Sequence, residues 1–146
     1  MPSHCEGISQ GLRELSFDVD RLRRTGQLMV LDAEETLSTF MKDGRPDAAA
    51  FRRSVGGVLG NLTGGRQGVA VRAFGGMVDC LWKRDGADAA IRLEVLWNEL
   101  ANTRAFSLLC GYSMGNFYKH GAYENICSHH THVVSGAGQP TSIGVA

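Results

Sequence analysis

The chain reads as an α/β protein of three layers, with a mostly parallel sheet flanked by helices. Three observations carry that expectation. Short apolar runs at residues 27–32, 68–74 and 106–110 have the length of strands, and their near-continuous apolar character suits strands covered on both faces. The intervening segments are helical in period and roughly ten residues long or more, so successive strands need crossovers that return them in parallel. The middle run, VRAFGGMVDCLW, turns through Gly75-Gly76 straight into an amphipathic helix, a connection that places a turn at the carboxyl edge of a sheet, where ligands bind.

The elements follow in order. Ser3-His4-Cys5-Glu6 matches a capping box, so a helix is expected to run to about Leu15, with Ile8, Leu12 and Leu15 as its apolar stripe. Asp18 suits the cap of a short second helix ending at Thr25-Gly26. Residues 27–32 make the first strand, ending in Asp32, and residues 33–41 a helix with Leu37, Phe40 and Met41 inward. The stretch from Asp43 to Asp47 breaks that helix and opens the next, whose Phe51, Val55, Val58, Leu59 and Leu62 recur at helical spacing up to Gly64-Gly65. Gly56, Gly57 and Gly60 weaken this helix, so it must gain from close packing. After the second strand and its helix, Asp85-Gly86 interrupts. Residues 87–102 then carry the clearest helical period in the chain, Leu93, Leu96, Trp97 and Leu100. The third strand leads into Gly111-Tyr112-Ser113, and a short helix is expected around residues 123–130. One domain over residues 1–134 and a flexible tail over 135–146 complete the reading.

At 146 residues the chain can bury roughly 70% of its unfolded surface in one core. Its 15 basic and 15 acidic residues cancel, so no overall field recruits nucleic acid or an anionic membrane. No apolar run approaches the roughly 18 residues of a membrane span, and the N-terminus lacks the basic start and apolar core of a secretion signal. Cys5, Cys80, Cys110 and Cys127 form no CxxC pair; reduced thiols and a cytoplasmic location are the simplest expectation.

The expected strand ends nominate the site residues. Asp32, Phe74, Gly75, Gly76 and Tyr112 stand there, and Arg72 is a charge within a strand that either binds a ligand or pairs with Glu94 or Glu99. Glu94 and Asn98, one turn apart, could jointly orient Arg72 or a ligand. Asp79 reads as a capping or surface acid. The lysines, Lys42, Lys83 and Lys119, close no GxxxxGK[ST] loop, and GxGxxG and GxSxG are missing, so no catalytic residue and no cofactor are assigned. Cys127, His129 and His132 are metal-donor types in a short run, but their spacing matches no standard four-ligand pattern; a helix-end cluster of polar histidines is the alternative.

Taken in order, LDAEETLSTFMKDGRPD, VRAFGGMVDCLW, RLEVLWNEL and FSLLCGYSM resemble the MEDS family, the DcmR-type sensory domains of methanogens and methylotrophs, and ICSHHTHVV resembles that family's ending. The resemblance implies a KaiC/RecA-like fold and a cytoplasmic role in signal transduction. It further implies a small-molecule pocket at the strand ends and a histidine kinase or transcriptional regulator as partner, with no direct contact to nucleic acid or membrane. Relatives carry a further strand and helix before the Pro2-Ser3-His4 region, so an N-terminally shortened domain is expected, with an uncovered sheet edge or core face that invites a partner or self-association. Gly76 stands where the family has glutamate. The reading is a non-catalytic sensory domain. Its alternatives are a degenerate ATPase, a metal-dependent enzyme using Cys127, His129 and His132, and a structural interaction module.

Overall fold

The computed structural model describes residues 2–84, 86–113, 123–134 and 140–142. It is a mixed α/β structure with a small parallel sheet and two small antiparallel ones. Helix α1 (Pro2–Glu14) begins with proline in its first turn, so Ser3 lies inside the helix and not at its cap. Its expected apolar stripe is only partly covered: Leu12 is half-buried while Ile8 and Leu15 are exposed, and Ser9, buried, accepts a hydrogen bond from Arg23. Asp18 caps α2 (Val19–Arg24) by accepting from the Arg21 amide.

Residues 27–32 do not form the expected first strand. They run without a ladder partner to Asp32, which caps α3 (Ala33–Ser38), and Met29, Val30 and Leu31 are 40–46% exposed. An apolar run suits a strand only where a neighbouring strand meets it, and among the described residues none does. The helix expected to reach Met41 stops at Ser38. Met41–Lys42 (β1) and Arg45–Pro46 (β2) instead form a tight hairpin, in which Asp43 and Gly44 both adopt positive φ, 49° and 74°. That is the geometry an Asp-Gly turn favours.

Asp47 caps α4 (Ala48–Thr63), which ends on Gly64 in the left-handed conformation, φ 55°. Arg104 lies across Gly56 and Gly60, so those glycines do gain close packing: side chains there would meet its guanidinium at 3.4–3.7 Å. Phe51 is fully buried between Phe40 and Trp97, edge to face with each at 5.2 Å. This aromatic stack, with Leu37, Leu81, Leu93 and Leu96, forms the centre of the core.

The parallel unit is β3 (Val71–Gly75), α5 (Met77–Arg84), α6 (Ala87–Ala101) and β4 (Phe106–Cys110), with β3 and β4 paired from Val71↔Phe106 to Gly75↔Cys110. Side chains alternate across it. Val71, Ala73, Gly75, Phe106, Leu108 and Cys110 are buried or half-buried, whereas Arg72, Phe74, Ser107 and Leu109 are exposed. Helices therefore cover one face, and two of the three expected strands are paired. The three-layer sheet is not seen among the described residues.

Beyond β4, α7 (Tyr123–Cys127) is followed by β5 (His132–Val134). Of the tail expected to be flexible, Pro140–Ser142 (β6) pairs antiparallel with β5; residues 135–139 and 143–146 lie outside the described set, as do Asp85 and residues 114–122.

Candidate functional site

Two places gather functional groups, one on each side of the strand tips. The first is a hollow of about 180 Å³ along β3, walled by Met29 and Leu31, by Val55, Val58, Leu59 and Leu62 of α4, and by Trp97. Because it touches Val71 and Ala73 from the core face as well as Arg72 and Phe74 from the other, it follows the edge of β3 that β4 does not occupy. Four of the nominated residues line it: Arg72, Phe74, Gly75 and Gly76. A side chain at Gly76 would meet nothing within 4 Å, so the wall is open at that point. Trp97 closes the hollow on the α6 side, and its ring N–H is itself buried out of contact with solvent, with no hydrogen-bond partner.

Asp32 and Tyr112 do not join this hollow. The Asp32 carboxylate accepts the Glu35 amide at 2.9 Å as the cap of α3, while its neighbours Leu31 and Ala33 line the wall. Tyr112 turns to the opposite side, where its hydroxyl donates to Glu94. Nor does Arg72 pair with either acid expected for it: Glu94 is engaged there, and Glu99 takes Arg52 at 3.0 Å.

The second place surrounds Glu94, which α6 carries in the middle of its buried stripe and which is 2% exposed. Tyr112 donates to its Oε1, and the Cys110 thiol reaches its Oε2 at 3.8 Å. His130 Nε2 lies 3.4 Å from Oε1 as an ion pair without hydrogen-bond geometry, and its Nδ1 sits 2.9 Å from the Ile126 carbonyl. Burial works against charge on Glu94, but His130, Tyr112 and Cys110 outweigh it and hold the carboxyl below its ordinary range. Glu94 in turn raises His130, and burial, with Glu94 beside them, pushes the Cys110 thiol and the Tyr112 phenol well up. Asn98, one turn along α6, donates to the His129 carbonyl at 3.1 Å. Glu94 and Asn98 thus act together as expected of their spacing, but they hold the segment after α7 and not Arg72.

The donor set that converges is therefore Glu94, Cys110 and His130, whose ligand atoms lie within 4.8 Å of one another. Among the described residues Cys127, His129 and His132 form no such set: Cys127 is buried in the core, and His132 faces Thr131. A charge within an apolar helical stripe was the legible sign of this site, since Glu94 sits between Leu93 and Trp97.

Asp79 also departs from expectation. It is buried in the first turn of α5, and it accepts the Ser113 amide at 3.0 Å, the Ser113 hydroxyl at 2.9 Å and the Lys83 ammonium at 2.5 Å. Burial pushes its carboxyl up, but these donors overcome that and hold it below the ordinary value. The carboxylate fastens the exit of β4 to the helix that leaves β3.

A parallel βααβ unit with an apolar hollow at its edge defines a mixed α/β domain. The family model described as MEDS, MEthanogen/methylotroph, DcmR Sensory domain, matches residues 2–130, and the chain belongs to that family. Comparison with curated proteins and with solved structures found no match. Among the described residues no helix is long and apolar enough to cross a membrane.

Proposed function

We propose that this chain is a non-catalytic sensory domain that takes a small molecule into the hollow along β3 and signals its presence to a partner regulator or kinase. The observation that carries the reading is the hollow itself: mostly apolar walls with Arg72 among its lining. At about 180 Å³ the space is smaller than the ~300–1,000 Å³ of sites for drug-sized ligands, which favours a compound of few heavy atoms. The segment carrying Met29 and Leu31 has no ladder partner and is the wall best able to move. Binding signals only if the ligand prefers one arrangement of that wall over another. Kinship with the KaiC/RecA-like fold belongs to the same proposal, and the helical crossover between parallel β3 and β4 supports it.

Titration of the full chain with small halogenated and one-carbon compounds and with nucleotides tests it, read by calorimetry and by Trp97 emission in a Trp82→Phe background. A saturable response to a small compound, lost in Val58→Phe, which fills the hollow from α4, is the expected result. Silence across the panel, or a response that Val58→Phe leaves intact, refutes the reading.

A further inference from the structure

The Glu94 cluster lies on the far side of the strand tips from the hollow, and the sensory reading makes no use of it. We propose that Glu94, Cys110 and His130 form a zinc(II) site. Three donor types meet there, a carboxylate, a thiol and an imidazole, and all three are ligands of this borderline ion.

The spacing suits the ion. Around a tetrahedral zinc, ordinary bond lengths place a carboxylate oxygen about 3.4 Å from an imidazole nitrogen and about 3.6 Å from a thiolate sulfur. Here Glu94 Oε1 and His130 Nε2 are 3.4 Å apart, and Glu94 Oε2 and Cys110 Sγ are 3.8 Å apart. These contacts are to different carboxylate oxygens, and the three ligand atoms lie within 4.8 Å of one another, so the side chains draw together around an entering ion.

The histidine supplies the independent observation. A backbone carbonyl can only accept, so the contact to Ile126 O fixes the hydrogen on Nδ1. An imidazole held in this way by its outer nitrogen, with the inner one directed at other donors, is the arrangement found behind metal-bound histidines. His130 Nε2 is buried, faces Glu94 and has no hydrogen-bond partner. Tyr112, donating to the same carboxylate, orients Glu94 as an outer-shell partner does.

Binding converts the Cys110 thiol to a thiolate and takes the neutral form of His130. The thiol proton, and the Nε2 proton of any imidazolium present, pass to the solvent. Three protein ligands leave a fourth position for water or another donor.

The test uses the purified full chain, with Zn²⁺ and Co²⁺ as probes. One equivalent of Zn²⁺ should bind, release protons and raise Tm. One equivalent of Co²⁺ should give the intense near-ultraviolet charge-transfer band of a thiolate ligand, displaced by Zn²⁺. Cys110→Ser should lose the band, and His130→Gln should lower affinity at least tenfold, each with an unchanged circular dichroism spectrum. Should either variant fail to fold, the stoichiometry and the thiolate band of the unaltered chain still decide the matter. Absence of both bands and binding in the unaltered chain overturns the proposal. So does a thiolate band that survives Cys110→Ser. Ligand response at the hollow is read separately with small compounds, so a failure here leaves the sensory reading standing.

Discussion

Replacing Asp79 should be costly, because one carboxylate buried in the first turn of α5 satisfies three donors. The two from Ser113, at 3.0 and 2.9 Å, are hydrogen bonds to a buried charge, worth at the low end about 1.5 kcal/mol each. The Lys83 ammonium is about a third exposed, so solvent discounts its ion pair to less than about 1 kcal/mol. Asp79→Ala should therefore lose about 3 kcal/mol, which for a chain of this length lowers Tm by roughly 10 °C. Asp79→Asn keeps one acceptor for the Ser113 amide and should lose about half as much. The pH dependence has a defined sign. The folded carboxyl is held below its unfolded value near 3.8, so its stabilisation is complete above that value and is lost as pH falls through the lower, folded one. Melts followed by circular dichroism should show a constant gap between the unaltered chain and Asp79→Asn from about pH 5 to 8, closing below about pH 4. An Asp79→Ala protein melting within about 2 °C of the parent, or a gap that persists unchanged into acid, would refute the assignment.

Phe51→Ala removes the ring between Phe40 and Trp97 and should cost about 3–5 kcal/mol in urea unfolding, with Trp97 emission shifting to the red; a loss under about 1.5 kcal/mol would mean the stack is not the core's centre. At Gly111 an added Cβ would sit 2.8 Å from Phe74 Cζ. Because that ring is 43% exposed and can swing away, Gly111→Ala should cost no more than about 1 kcal/mol while displacing the Phe74 ring resonances in NMR spectra. A cost above about 3 kcal/mol would show that Phe74 is pinned.

Much of the fold was legible because local chemistry and tertiary context agree. Asp18, Asp47 and Gly64 cap the helices their residue types suit, and β4 coincides with the apolar run that names it. What misled was context that no local pattern carries. Met29, Val30 and Leu31 have the composition of a strand, but a strand exists only through its neighbour's hydrogen bonds, and among the described residues no strand pairs with them. Asp43-Gly44 suits the hairpin at Met41 as well as a helix break, and two-residue strands leave almost no alternation to tell the two apart. The site divides in the same way. The lining of the hollow by Phe74, Gly75 and Gly76 follows from the strand-end rule, whereas the company of Glu94 depends on which side of β4 faces α6 and on a segment some thirty residues further along.

Tyr112 misses the hollow because it extends β4, whereas the hollow follows the edge of β3 that β4 does not occupy. Successive residues of a strand point to opposite faces, so a tip serves whichever face its register assigns. Cys110 continues the half-buried series of Phe106 and Leu108 toward α6, and Tyr112, two residues later, follows it to Glu94. Phe74 belongs to the opposite series, and the hollow along the edge of β3 meets it together with Val71 and Ala73 of the buried or half-buried series. The two places are nonetheless in contact. The Gly111 amide, between Cys110 and Tyr112, donates to the Gly75 carbonyl at 3.0 Å, and the Phe74 ring occupies the space that a side chain at Gly111 would take. A molecule that displaces Phe74 in the hollow therefore acts on the peptide that positions two partners of Glu94. Glycine at 111 is what permits that approach, since any other residue would hold the ring away.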